Sequence, residues 1–236
     1  MSSEKATEHA EHFEALFRAH ADPWGYDRYW HEEAKRRAVT ASLVSASDGR
    51  CPGRVLEVGC GNGASTEALA RWCRSIDAID GADAAIRHAR ERLEGATRCR
   101  VWRAQVPEDL PTGPYDGIVA TEVLYYMPRP QLQRTLEAFR RRLASRGCVV
   151  VTASIRPFAD RDVGNTVLFG LARRVLGRPI REVAGGPWRL CAYRPEPMRM
   201  HRRGCHARTT ANAERPDERG ERGAPRAISE EVWVRE

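Results

Sequence analysis

Long apolar runs are missing from this sequence. No stretch of its 236 residues approaches the roughly 20 that a membrane-spanning helix needs. The start, MSSEKATEHAEHFEALF, is charged and lacks the apolar stretch of a secretory signal. A cytoplasmic protein without a membrane partner is expected. Lysine is scarce as well: Lys5 and Lys35 are the only two, and arginine dominates a net charge of +7. That bias reports codon composition rather than a binding surface. The arginines alternate with acids, as in ERPDERGER, whereas a nucleic-acid partner needs a clustered basic stripe, so none is expected. The seven cysteines are odd in number, and none forms a CxxC pair or a Cys/His cluster with zinc spacing. Reduced thiols are expected, with no disulfide framework and no metal site.

What is present is alternation. Over 1–46 the pattern is helical: Phe13, Leu16 and Phe17 share a face, ADPWGY interrupts, and Trp30, Ala34, Ala38 and Ala41 form the stripe of a second helix. Over 47–194, short apolar runs alternate with helical patterns. Strands are expected at Arg54–Val58, Ser75–Ile79, Arg100–Arg103, around Gly117–Ala120, and at Cys148–Ala153. Helices are expected at Ala64–Cys73, along Ile86, Ala89 and Leu93, along Leu132, Leu136, Phe139 and Leu143, and along Val167 to Val175. This order predicts a doubly wound, mostly parallel sheet. Two last strands, near Arg181–Val183 and at Trp188–Tyr193, are joined by AGGP, a link that fits an antiparallel hairpin. Residues 195–236 are rich in Arg, Glu, Gly and Pro and are expected to be disordered.

The chemistry concentrates in RVLEVGCGNG (54–63), a strand running into a turn in which Gly59, Gly61 and Gly63 alternate. Glycine admits positive φ and lets a ligand approach the backbone, and the helix that follows offers free N–H groups to an anionic group. Asp80, nineteen positions after Gly61, ends the second strand and is followed by Gly81. An acid there is placed for ribose hydroxyls; the alternative is a helix cap. Dinucleotide folds space their third glycine three positions after the second, whereas here the interval is two. That spacing, and the lack of a Tyr-x-x-x-Lys pair, argues against a nicotinamide-dependent oxidoreductase.

E-x-G-x-G-x-G, with Glu57 two positions before Gly59, resembles motif I of the class I S-adenosylmethionine-dependent methyltransferases. The resemblance implies a Rossmann-like seven-stranded sheet with an antiparallel C-terminal hairpin, and S-adenosylmethionine as cofactor. It implies that Gly59, Cys60, Gly61 and Gly63 wrap the methionine half, oriented by Glu57, and that Gln105 and Val106 lie against adenine. Gln105 departs from the acid that many members carry, although its amide oxygen can accept from the adenine amino group. PYDGIVATEVLYYM (114–127) matches the family's fourth strand and the segment after it. More narrowly, DPW within HFEALFRAHADPWGYDRYWHEEAKRRAVTASL (12–43) and EVLYYM resemble the nodulation N-methyltransferases, which methylate an amino group of a chito-oligosaccharide. The loop differs in part, reading GCGNG where those enzymes often show GCSIG.

Ligands of open α/β sheets sit at the carboxyl ends of the strands, where Thr121 and Glu122 lie. Thr121 is a candidate cofactor contact. Glu122 is the candidate to hold an amine, accept its proton or stabilise the cation; its alternative is a structural role in the loop. Tyr125 and Tyr126 are candidates to frame the site, since aromatic faces attract a sulfonium or methylammonium, but adjacent residues point apart and one of the two can be core. Residues 1–46 are expected to form a helical lid, with Trp24 and Tyr26 lining the acceptor pocket and His31 as a further candidate base. The expected activity is methyl transfer to a small-molecule acceptor, an amine such as an amino sugar. The alternatives are O- or C-methylation of a natural product, or a non-catalytic nucleotide-binding regulator.

Overall fold

The computed structural model describes residues 2–196, with side chains from His9 onward. The tail expectation, from residue 197 on, lies outside the described residues, as does Cys205. Six helices, α1 (Ser2–Ala19), α2 (Trp30–Ala46), α3 (Ala64–Ala70), α4 (Asp83–Arg92), α5 (Arg129–Arg142) and α6 (Asn165–Leu176), accompany one sheet among these residues. Its strands are β1 (Arg54–Val58), β2 (Ser75–Asp80), β3 (Cys99–Arg103), β4 (Tyr115–Thr121), β5 (Leu143–Ser154), β6 (Pro179–Gly185) and β7 (Trp188–Tyr193). Their order is β3-β2-β1-β4-β5-β7-β6, parallel from β3 to β5, with β7 antiparallel to both of its neighbours.

Alternation along the strands builds a core on each face. Leu56, Val58, Ile118 and Val149 pack with Leu132, Leu136 and Phe139 of α5 and Leu168 and Leu171 of α6. Val55, Ile76, Val119 and Val150 pack on the other face with Val39, Leu43 and Ala46 of α2 and Leu69 of α3. Covered on both sides, β4 and β5 read as near-continuous apolar runs, GIVA and CVVV, at their centres.

Three expectations are corrected. The stripe Trp30–Ala34–Ala38–Ala41 is not the inner face of α2: Trp30 is 74% exposed, and the buried face is Glu32, Lys35, Val39, Ser42, Leu43 and Ala46. Two charged residues head that face because its first turns meet a polar site. The last hairpin turns through Gly186 and Pro187 alone, since pairing continues to Gly185 opposite Trp188. The fifth strand starts at Leu143 instead of Cys148, paired with Tyr115 before a register shift.

Candidate active site

The chain leaves β1 through three glycines in the left-handed region, Gly59 at φ +74°, Gly61 at +53° and Gly63 at +81°, which side chains rarely adopt. The loop is tied to the end of β2. Gly59 N and Cys60 N donate to Ile79 O, at 2.8 and 3.1 Å. Gly61 N donates to Asp80 Oδ2 at 2.9 Å, while Asp80 Oδ1 accepts from Ala82 N at 3.0 Å. Asp80 therefore joins the glycine loop to the start of α4. Burial raises its pKa, and the backbone donors oppose that rise. A Cβ on Gly59 would stand 2.8 Å from Val123 Cβ, so the residue after Glu122 lies directly against the loop. Glu57, 1% exposed, accepts from Thr66 Oγ1 at 2.5 Å, and burial pushes it from 4.5 up to about 8. Burial also pushes the Cys60 thiol well up, which leaves it inert as a nucleophile.

Around the loop stand the other expected residues. The Gln105 amide lies against Gly81, its Nε2 3.1 Å from where a Cβ would be. Val106 O accepts from Gln131 Nε2 at 2.7 Å, which fixes the start of the segment after β3. Thr121 Oγ1, at the end of β4, is buried without a hydrogen-bond partner among the described residues. Phe17 and Tyr26 lie over Gly61, 3.3 and 3.5 Å from a Cβ placed there. Trp24 contacts Phe17 and Tyr26 with ring centroids 5.4 and 5.9 Å apart. Asp22 holds this turn by accepting from Tyr26 N at 2.8 Å. The DPWGY segment thus covers the loop.

Glu122 has φ +57°, one of two positive values among the described non-glycine residues. Its Oε2 accepts from Tyr125 OH at 2.9 Å and Ser154 N at 2.6 Å; its Oε1 accepts from Thr152 Oγ1 at 3.1 Å and lies 3.5 Å from Lys35 Nζ. The two tyrosines of a 3₁₀ turn, Leu124–Tyr126, divide the work. Tyr125 is core, with its hydroxyl on Glu122 and its ring 5.3 Å from Phe158. Tyr126 faces α1, 4.7 Å from the Phe13 ring and 5.7 Å from His9. Burial pushes the Tyr126 hydroxyl up to about 12. His31 stacks on Tyr29 at 5.4 Å, with Nε2 3.8 Å from Glu32 Oε1. No hydrogen bond joins His31 to Glu122 among the described residues. Sequence reasoning missed Glu32 and Lys35. Their opposite charges three apart, on a chain with two lysines, were the available signal. A cavity of about 730 Å³ between α2 and α3, lined in part by Arg36, Arg71 and Trp72, lies apart from this cluster.

Residues 55–147 match the model of a family described as a methyltransferase domain. That segment holds the glycine loop, Asp80, Gln105 and Glu122. The chain is also similar to nodulation protein S of Azorhizobium caulinodans, 33% identical over 129 residues, covering 53% of this chain and 59% of that protein. Ubiquinone biosynthesis O-methyltransferase of Xanthomonas oryzae pv. oryzae is 32% identical over 114 residues, covering 44% and 47%. The chain thus spans about half the length of the curated relatives it matches. Among solved structures, the N-methyltransferase NodS from Bradyrhizobium japonicum, in complex with S-adenosyl-L-homocysteine, superposes with a TM-score of 0.67. It is 24% identical, covering 79% of this chain and 97% of that one, a likeness of fold. The matched segment runs from β1 through α5 into the start of β5; α1 and α2 precede it, and α6, β6 and β7 follow.

Proposed function

We propose that the chain binds S-adenosylmethionine at the Gly59–Gly63 loop and transfers its methyl group to a small-molecule acceptor, an amine such as that of an amino sugar or oligosaccharide. One observation carries this reading: three left-handed glycines bound through Gly61 N to the acid that ends β2. The surroundings fit the cofactor. In this reading Asp80 and Gly81 hold the ribose and Gln105 and Val106 lie against adenine, and Thr121 offers a buried hydroxyl without a partner among the described residues. Glu57 and the loop backbone of Gly59, Cys60, Gly61 and Gly63 frame the methionine half. When bound, the cofactor supplies a methyl group already activated on a sulfonium.

The chain's own task is then to hold the acceptor, for which alignment recovers roughly 7–11 kcal/mol of a barrier. Glu122 has donors on both oxygens, so its contribution is a fixed negative charge that favours an amine and the cation formed from it. Tyr125 orients that carboxylate. Tyr126, Trp24 and Tyr26 supply aromatic walls, and His31 at the edge of the cluster is the remaining candidate to take a proton. No helix among the described residues is long and apolar enough to cross a membrane, and a cytoplasmic enzyme is the reading we adopt. O-methylation is the second reading, favoured by the similarity to the ubiquinone O-methyltransferase. Calorimetric titration of the full chain with S-adenosylmethionine, and with NADH as control, tests the first half. A screen of amines, amino sugars and phenols read by product mass tests the second. A folded protein that binds NADH and not S-adenosylmethionine would end the proposal, and methylation confined to phenols would select the O-methyl reading.

A further inference from the structure

Lys35 is 5% exposed, and a buried ammonium persists only when it is paired. It is paired twice: Nζ donates to Glu32 Oε1 at 2.9 Å on its own helix and lies 3.5 Å from Glu122 Oε1 at the end of β4. The other contacts of the Glu122 carboxylate come from the core, through Tyr125, Thr152 and Ser154. Lys35 is the contact that comes from α2. Glu122 is also strained at φ +57°, and strained positions persist where the surroundings over-determine them. Farther along the same helix, Arg36 Nη1 donates to Tyr26 O at 2.7 Å, and Tyr26 lies over Gly61.

We propose that Lys35 is a positioning residue, whose ammonium clamps α2 to Glu122 and so holds the DPWGY segment and the acceptor-side carboxylate in register across the donor loop. The functional meaning rests on the methyltransferase reading; the clamp itself does not. Without the ammonium, Glu32 and Glu122 lose the cation they share, and among the described residues only His31, 3.8 Å from Glu32, stands near the pair. With its α2 contact gone the carboxylate is free to turn, its bond from Ser154 N opens more often, and α2 carries Tyr26 away from Gly61 through Arg36.

The Ser154 amide reports the carboxylate directly, because it donates to Glu122 Oε2 at 2.6 Å. Amide hydrogen exchange of the ¹⁵N-labelled full chain is measured for K35M, K35R, E122Q and K35M/E122Q. Exchange at Ser154 is expected to be about tenfold faster in K35M, near wild type in K35R, and no faster in K35M/E122Q than in E122Q, as expected of coupled sites. A packing role alone would be kept by methionine, whose bulk matches lysine. Ser154 exchange unchanged in K35M, or additive effects in the double variant, would overturn the clamp. Should K35M not fold, E32Q/K35M removes the ammonium and one carboxylate together; wild-type exchange at Ser154 in that variant overturns the clamp and faster exchange supports it. S-adenosylhomocysteine affinity is measured on the same samples and is expected to fall about tenfold in K35M and to be kept in K35R. If the variants show the Ser154 pattern while wild type does not bind S-adenosylhomocysteine, the methyltransferase reading fails and the clamp stands; if wild type binds it and Ser154 is indifferent to the substitutions, the clamp alone fails.

Discussion

Two buried acids near the loop do different things, and each is separable by one substitution. Asp80 spends both oxygens on backbone donors and so shapes the loop, beside the ribose role we propose for it. Replacing it with Ala is expected to weaken S-adenosylmethionine binding at least about tenfold, the scale of a lost hydrogen bond to a charged group; calorimetry with a melting control checks it. Glu57 is held protonated by burial, from 4.5 up to about 8. Its folded pKa lies above the unfolded value, so the folded state binds the extra proton. The stability this contributes is full below about pH 4.5 and is lost as pH rises toward 8, by up to about 1.4 kcal/mol per pH unit. The difference in urea stability between wild type and Glu57→Gln, followed from pH 5 to 8, should shrink or reverse with that slope. A pH-independent difference would mean that Glu57 stays ionised. For Tyr125, Phe should cost about 1.5–3 kcal/mol, since the hydroxyl is bound to a carboxylate.

At the scale of elements, the glycine loop is a joint between α3 and α4, whatever it binds. Gly63 precedes α3 at φ +81°, and a Cβ there would stand 3.1 Å from Ala89 Cα, backbone that cannot swing aside. Gly63→Ala should therefore cost about 1–3 kcal/mol from backbone strain alone, read as a lower denaturation midpoint even without cofactor. The same fact separates what sequence shows from what it hides. Gly59, Gly61 and Gly63 were legible as a loop because side chains rarely adopt that conformation. The inner face of α2 was not. An apolar stripe is the usual guide to a buried face, and here Glu32 and Lys35 occupy it while Trp30 points outward. The two tyrosines also needed the structure: a short 3₁₀ turn sends Tyr125 into the core and Tyr126 toward α1.

The whole molecule keeps a second charged knot away from the site. Asp77, within β2, binds Arg54 of β1 at 2.7 Å, Arg100 of β3 at 2.7 Å and the Tyr115 hydroxyl of β4 at 2.8 Å. It ties four neighbouring strands, and none of these hydrogen bonds goes to the glycine loop. Removing one member of a buried charged network costs about 3–5 kcal/mol, so Asp77→Ala should lower global stability by that order. Urea denaturation checks the loss, and cofactor affinity of the folded fraction should be unchanged.

Sequence by itself determined the strand and helix alternation, the glycine loop and the acid that ends β2. These follow from local rules: side-chain period, conformational freedom and residue spacing. Only the tertiary structure decided which face of α2 turns inward, that β7 lies between β5 and β6, and that Lys35 meets Glu122. The pairing of two charges from distant elements has no local signature, because burying them costs energy that only their partners across the fold repay.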